Sequence, residues 1–201
     1  MALTPSQMVP LGTPFPQAAL EAALATGRAE PVSGASLPPL AGRPLLVLFL
    51  CAHCPFVKHV EAEIGRLDHD FPALQLLGIA SNSTLTHPQD GPDGLRAQAR
   101  QQGWRFPYLF DRDQDLARAF QAACTPDPFL FAWDGHREQH LLVYRGQFDS
   151  SRPSLGVACD GRDIRAAIGA LVAGEGIAAD QKPAIGCNIK WRPGEEPEWA
   201  R

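Results

Sequence analysis

The chain has 201 residues, of which 45% are hydrophobic and 20% are charged, and its formal net charge is −4. This length and composition predict a single globular unit with one ordinary hydrophobic core. Lysine occurs only at positions 58, 182 and 190, and no apolar run approaches the about 20 residues that span a bilayer, so we expect neither a nucleic-acid partner nor a membrane partner.

The first part of the chain predicts an irregular lead-in followed by a β-α-β unit. Residues 1–43 are rich in Pro, Gly and Ala, and only residues 20–24 have a short helical pattern, so we expect an extended N-terminal lead-in that wraps the domain. Residues 44–50 form an unbroken apolar run of strand length, and apolar residues recur at helical spacing over 55–69. A second apolar run over 74–81 predicts the next buried strand.

The rest of the chain alternates strands with helices and then forms a hairpin. Residues 82–94 are polar and predict a loop at the carboxyl end of a strand, where binding sites often lie. The order of elements indicates an α/β domain over 44–173, with a central mixed β-sheet flanked by helices. A C-terminal tail over 174–201 is expected to pack on this domain. The further predicted elements are a helix over 95–102, a strand over 106–111, a helix over 114–122, a hairpin of 129–133 with 141–145, and a helix over 161–173.

Two cysteines lie where the first buried strand gives way to a helix. Cys51 and Cys54 are separated by Ala52 and His53. Two thiols three positions apart at a helix N-terminus can close a disulfide within one turn, and the unpaired N–H groups and the helix dipole stabilise a thiolate on the first of them. The pattern is typical of a redox site.

The N-terminal sequence indicates a cellular compartment, and the compartment in turn limits what the cysteines can do. The N-terminal sequence has neither the positive region nor the apolar region of a secretion signal, so we expect a cytoplasmic protein. Reductants in the cytosol keep cysteine side chains in the thiol form, so a network of structural disulfides is not expected. The five cysteines stand at positions 51, 54, 124, 159 and 187.

Several motifs resemble a known family. They are Cys51 to Pro55 after the first core strand, the dipeptide Thr125-Pro126 before the hairpin, and segments 53–59, 144–147 and 182–191. Together they resemble the thioredoxin-like superfamily, and within it an uncharacterised thioredoxin family branch of the redoxin group, which contains the alkyl-hydroperoxide reductase and thiol-specific antioxidant proteins. The similarity runs from about residue 9 to about residue 191 and implies a thioredoxin-like fold.

The resemblance implies dithiol chemistry without a bound organic cofactor. Cys51 is expected to be an exposed nucleophile that attacks a substrate disulfide, and Cys54 is expected to resolve the mixed disulfide. Pro126, in cis, would hold the backbone of Thr125 open for an extended substrate segment. The implied partners are protein or small-thiol disulfides and an electron-donating reductase.

His53, in the spacer, has two interpretations. A partly cationic imidazole stabilises a thiolate, as it does in the Cys-Pro-His-Cys oxidants that this motif resembles. On this interpretation the pKa of Cys51 lies below its ordinary value of about 8.5. On the other interpretation His53 only faces solvent.

The remaining cysteines and one arginine are less specific. Cys124 is either a buried, inert thiol or an additional redox residue, and Cys187 is either a third redox partner or part of the core. Cys159 is expected to be incidental. Arg145 is expected either in a surface ion pair or at the rim of the active site, and the pair is favoured.

Three other functions stay open. A thiol-dependent peroxidase is one, although the peroxiredoxin pattern Pro-x-x-x-Thr-x-x-Cys is absent, since Cys51 replaces its threonine and Val47 its proline. A zinc site could recruit Cys51, Cys54 and another thiol or His59, and paired thiols also suit Cu(I). Because there is no second Cys-x-x-Cys, we predict no metal. The third alternative is a non-catalytic interaction module.

Overall fold

A computed structural model describes residues 3–200, in which strands and helices alternate through most of the chain. No helix in this range is long and apolar enough to cross a membrane. The α-helices are α1 (Gln17–Ala25), α2 (Pro55–Asp70), α3 (Pro92–Gln102), α4 (Asp115–Phe120) and α5 (Arg162–Ala173). The strands are β1 (Leu3–Pro5), β2 (Ala29–Pro31), β3 (Leu45–Phe49), β4 (Gln75–Ala80), β5 (Tyr108–Asp111), β6 (Cys124–Thr125), β7 (Asp127–Asp134), β8 (Gln139–Tyr144) and β9 (Ile185–Asn188).

The central sheet contains strands in the order β2-β5-β4-β3-β7-β8. Strands β3, β4 and β5 run parallel to one another, and the other neighbours pair antiparallel. Every residue of β3 and β4 is buried, as expected for strands covered by helices on both faces. The predicted α/β class, with a mixed central sheet flanked by helices, is confirmed.

Strand β3 separates two halves of the core, because its side chains alternate between the two faces of the sheet. Leu46 and Leu48 pack in a cluster with apolar residues of α2, α3 and α5. Val47 and Phe49 pack in the other cluster, with residues of α1 and α4. Because β3 is buried on both faces, its position is fixed, and the start of the turn that follows it is fixed as well.

A second, smaller sheet joins the two ends of the chain. Its strand order is β1-β9-β6, and β9 pairs antiparallel with both neighbours. Cys187 therefore lies beside Leu3 on one side and Thr125 on the other. The Thr125-Pro126 peptide bond is cis, as the resemblance implied. This sheet places the C-terminal segment directly against β6.

The sequence pattern missed the shortest strands and one helix start. Strands β1 and β2 lie in the segment that was expected to be irregular, and β9 lies in the tail. Three-residue strands such as β2 are too short to show the alternation of a strand. Helix α3 begins at Pro92 rather than at residue 95, because the fixed φ of proline suits the first turn of a helix.

Candidate functional site

The turn between β3 and α2 brings two thiols together. Cys51 follows the end of β3, and Cys54 is the N-cap residue of α2. Pro55 occupies the first helical turn, where its missing N–H removes no helical hydrogen bond. Both cysteines are thiols, and each of them affects the pKa of the other. The predicted pair is therefore close enough for sulfur chemistry.

Strands β6 and β9 complete the site. The Thr125 hydroxyl lies 3.3 Å from the Cys51 Sγ, and the Cys54 thiol lies 3.3 Å from the Thr125 carbonyl oxygen. Cys187, on β9, is the residue paired with Thr125, and its side chain affects the pKa of Cys54. We call Cys51, Cys54 and Cys187 the thiol cluster. Cys54 is its centre, since both of the other thiols lower the pKa of Cys54.

The thiol cluster is closed to solvent. The exposed fraction is 0% for Cys51 and Cys54 and 1% for Cys187. The expectation that Cys51 is an exposed nucleophile is therefore wrong for this structure. Cys51 and Cys54 are part of the core cluster on one face of the central sheet, and β9 pairs with Thr125 beside them.

The thiols of the cluster differ in acidity. Hydrogen bonds from the Cys187 and Cys51 thiols, together with the Val57 N–H at the start of α2, hold the pKa of Cys54 well below its usual range. The pKa of Cys51 is raised, first by burial and then by the hydrogen bond with Cys54 and the charge of Asp90. The prediction of a lowered Cys51 pKa is therefore wrong, because the thiolate is stabilised on Cys54.

Asp90 fixes the turn that carries the cysteines. This carboxylate is completely buried, and its Oδ1 accepts hydrogen bonds from the backbone N–H groups of Ala52, at 2.8 Å, and His53, at 3.1 Å. Its Oδ2 lies 2.5 Å from His53 Nδ1 and accepts a hydrogen bond from the Asn82 amide at 2.8 Å. The His53 ring therefore has Asp90 as its polar partner. It also stacks on His87, with a ring distance of 4.7 Å.

Sequence reasoning missed Asp90 and Asn82. Both lie in the polar loop after β4, and that position at the carboxyl end of a buried strand was the available signal. Ligand atoms of Cys51, His53 and Asp90 lie within 4.8 Å of one another, so among the described residues this group could hold a metal ion. It differs from the zinc set that the sequence suggested. The hydrogen bonds to both Asp90 oxygens already account for its burial without a metal.

Cys124 lies outside the thiol cluster. Its sulfur is near the Ser6 hydroxyl, at 4.0 Å, and the Pro126 carbonyl oxygen, at 3.8 Å. Burial, reinforced by the charge of Asp127, raises the pKa of Cys124 well above its usual range. Cys159 is also buried, and burial followed by its contact with Asp149 raises its pKa to about 12. Both environments favour neutral thiols.

Arg145 is not a surface residue. Its side chain and that of Asp127 are both 0% exposed, and Arg145 Nη2 donates a hydrogen bond to Asp127 Oδ2 at 2.9 Å. The guanidinium also lies over the Phe129 ring, 3.7 Å from its centre. The expectation of a surface ion pair is therefore wrong, because the hairpin carries Arg145 back beside the start of β7.

Comparison with known proteins gives a family and structural relatives. The sequence profile of the AhpC/TSA family matches residues 11–148. An uncharacterised conserved protein from Geobacillus kaustophilus is 37% identical, with a TM-score of 0.81 over 96% of this chain and 98% of its own. A hypothetical protein from Sinorhizobium meliloti 1021 is 35% identical, with a TM-score of 0.80 over 95% of this chain and 100% of its own.

A more distant structure shares the fold. A thiol-disulfide isomerase from Corynebacterium glutamicum is 18% identical, with a TM-score of 0.52 over 72% of this chain and 91% of its own. At that identity the likeness concerns the fold alone. No curated protein matches the sequence.

Proposed function

The chain belongs to the AhpC/TSA family and has a thioredoxin-like fold, and from this premise we propose that it is a thiol-disulfide oxidoreductase whose redox couple is Cys51 and Cys54. The observation that carries the proposal is the position of the two thiols at the N-terminus of α2, where both sulfurs lie 3.3 Å from atoms of Thr125. The family supports a thiol redox role, and the two sulfurs supply the pair that such a role requires.

The order of attack follows from the thiolate. The family resemblance assigns attack to Cys51 and resolution to Cys54. We propose the reverse order, because neighbouring donors lower the pKa of Cys54 and the thiolate is the nucleophile in disulfide exchange. The Cys54 thiolate attacks a substrate disulfide and releases one substrate thiolate. Cys51 then attacks Cys54 of the mixed disulfide, releases the second thiolate, and closes the Cys51–Cys54 disulfide.

The surrounding residues have positioning roles in this proposal. Asp90 holds the Ala52 and His53 backbone, and through it the separation of the two sulfurs. The Thr125 hydroxyl contacts Cys51 and supplies a donor or an acceptor as that sulfur changes charge. Protein or small-thiol disulfides are the proposed substrates, and an electron-donating reductase returns the couple to its dithiol form. A cytoplasmic location remains part of the proposal.

Peroxide reduction is the second candidate, favoured by the family match and by the complete burial of Cys54, which admits a small substrate more readily than a protein. The Cys54 thiolate would attack the peroxide oxygen, release an alcohol or water, and become a sulfenic acid. Condensation with the Cys51 thiol would release water and form the same disulfide.

A steady-state assay separates these candidates. Reduction of a disulfide substrate by the protein, with a dithiol as the electron source, should be lost in Cys54→Ser and unchanged in Cys159→Ser. Consumption of one peroxide per disulfide formed, without turnover of disulfides, would replace the first candidate with the second. If the double variant Cys51→Ser/Cys54→Ser kept both activities, neither candidate would survive.

A further inference from the structure

The C-terminal segment occupies the edge of β6. Thr125 pairs with Cys187 and Cys124 pairs with Asn188 in an antiparallel ladder, and the Ile189 N–H donates to the Ala123 carbonyl at 3.0 Å. This backbone edge is the one that the family resemblance assigns to an extended substrate segment. In this structure the protein's own β9 already fills it, so an incoming segment would have to displace β9.

Gly186 allows β9 to approach β6 closely. A Cβ at this position would lie 2.7 Å from the Thr125 carbonyl carbon and closer still to the carbonyl oxygen. Any other residue would therefore push β9 away from β6. The strand is also anchored beyond its end, because the Lys190 N–H donates to Asn82 Oδ1 at 2.8 Å and the Ser83 N–H donates to the Lys190 carbonyl at 2.7 Å.

Strand β9 brings a third thiol, that of Cys187, to the site of Cys51 and Cys54. Cys187 is the β9 residue paired with Thr125, and the Thr125 carbonyl oxygen accepts a hydrogen bond from the Cys54 thiol at 3.3 Å. Helix α2, which begins just after Cys54, packs against β9. Cys54 thus lies near two other thiols, one from its own turn and one from the tail.

We propose that Cys187 is a third exchanging thiol, which pairs with Cys54 and locks β9 over the site when the protein is oxidised. The proposal rests on the proposed function, since it needs Cys54 to take part in disulfide exchange. It gives the tail a regulatory role: the strand that blocks the β6 edge becomes covalently fixed there until a reductant opens the bond.

The exchange needs no external oxidant beyond the one that forms the first disulfide. The Cys187 thiolate attacks Cys54 in the Cys51–Cys54 disulfide, so the sulfur bond between 51 and 54 breaks as the bond between 54 and 187 forms. Cys51 leaves as a thiolate and takes up the proton that Cys187 lost. The number of disulfides is unchanged, as required for thiol-disulfide exchange.

A chromogenic disulfide tests the proposal through its stoichiometry. Reduced Cys51→Ser protein is mixed with dithiobisnitrobenzoate, and the released aryl thiolate and the retained adducts are measured by absorbance and intact mass. Cys54 should attack and Cys187 should resolve, so the variant releases two aryl thiolates and retains no adduct. Cys51→Ser/Cys187→Ser should release one and keep one adduct, and Cys159→Ser should behave as the wild type does.

Tryptic peptides identify the bond, because the cysteines of interest fall in separate peptides. Residues 29–58 carry Cys51 and Cys54, and residues 166–190 carry Cys187. Cys124 and Cys159 lie in the peptides 119–137 and 146–162. The proposal predicts a cross-link between the first two peptides in oxidised Cys51→Ser protein, and both this cross-link and an internal disulfide of 29–58 in the oxidised wild type.

A backbone variant tests the lock without removing a thiol. Gly186→Ala should move β9 away from Thr125, lower the yield of the cross-linked peptide by at least about tenfold, and speed the reaction of Cys54 with dithiobisnitrobenzoate. Gly176→Ala is the matched control, since a Cβ there meets no atom within 4 Å. Circular dichroism before each measurement confirms that both variants are folded.

The outcomes test the role of Cys187 separately from the proposed function. If Cys51→Ser retains the aryl adduct on Cys54 while the wild type forms its Cys51–Cys54 disulfide, the role of Cys187 is overturned and the proposed function stands. If Cys54 does not react in the wild type, the proposed function falls with it. An unchanged cross-link yield in Gly186→Ala would also overturn the role of β9.

Discussion

Strand β6 separates two chemically different regions at neighbouring residues. Thr125 faces the thiol cluster of Cys51, Cys54 and Cys187, and its hydroxyl and carbonyl oxygens lie 3.3 Å from the sulfurs of Cys51 and Cys54. Cys124 points to the other side, toward Ser6 and the buried pair of Asp127 and Arg145, which we call the ion-pair side. Side chains of adjacent strand residues point to opposite faces, so one peptide unit divides a reactive environment from a structural one.

The comparison shows that burial alone does not determine the acidity of a thiol. Cys54 and Cys124 are both 0% exposed. The neighbouring thiols and the Val57 N–H lower the pKa of Cys54, whereas Cys124 is buried beside the Asp127 carboxylate and its pKa is raised. The number and charge of the hydrogen-bonding neighbours decide which buried sulfur carries a thiolate.

The largest expected difference is in the thiolate content. Near neutral pH the ultraviolet absorbance of the reduced protein should report a thiolate that is absent in Cys54→Ser, because the Cys54 pKa is lowered. Cys124→Ser should keep the full signal, because the raised pKa of Cys124 leaves it protonated. A wild-type titration whose first midpoint lies at or above about 8.5, the ordinary thiol pKa, would contradict the difference in acidity between Cys54 and Cys124.

The second expected effect concerns the ion-pair side. Arg145→Met should lower the free energy of unfolding by about 3–5 kcal/mol, because it leaves the buried Asp127 carboxylate without its charged partner. Urea unfolding followed by circular dichroism measures the change.

Arg137→Met is the matched control for this variant. Arg137 also pairs with an aspartate, Asp134 at 3.2 Å, but its side chain is 68% exposed. Such surface pairs contribute at most about 1 kcal/mol. Equal losses for the two variants would show that the buried pair has no special structural role.

The third effect tests what holds the thiol cluster in place. Asp90→Asn should lower the free energy of unfolding by about 1–3 kcal/mol, since an amide N–H₂ replaces an oxygen that accepts hydrogen bonds at a buried position. It should also lower the pKa of Cys51, because the Asp90 charge is one cause of its increase. Asp93→Asn, with a side chain that is 100% exposed, should change neither quantity. A Cys51 thiolate titration that is identical in both variants would remove Asp90 from the electrostatics of the site.

A fourth effect appears at alkaline pH on the ion-pair side. Above the unfolded thiol pKa of about 8.5, the unfolded chain loses a proton that folded Cys124 retains, so stability falls as pH rises through the window below the raised folded value. The slope contributed by this group is about 1.4 kcal/mol per pH unit. Cys124→Ala should flatten the measured decline by that amount between about pH 9 and pH 11, and parallel curves for variant and wild type would contradict the assignment.

Local sequence patterns predicted the strands and helices that have long apolar runs or apolar residues at helical spacing. The unbroken runs of β3 and β4 and the helical spacing along α2 indicated the β-α-β unit and, with it, the place of Cys51 and Cys54. Strands β6 and β9 have two and four residues, and their pairing joins segments about sixty residues apart, which no periodicity reveals.

The missed features of the site depend on tertiary contacts. The thiol pair could be inferred from its spacing, but the pairing of β9 with Thr125, which brings the far end of the chain beside the pair, could not. Arg145 was expected at the surface because arginine is almost never fully buried unless it is paired, and its partner Asp127 lies on another strand of the hairpin region. Spacing therefore located the reactive residues, whereas their acidity depends on neighbours distant in sequence.

Thiol-specific mass labelling across a redox titration tests the central claim most directly. In Cys187→Ser protein, which isolates the proposed couple, Cys51 and Cys54 should lose the label together with one midpoint and become joined by a disulfide, while Cys124 remains a thiol throughout. Oxidised protein in which Cys51 and Cys54 both remain unlinked thiols would contradict the account.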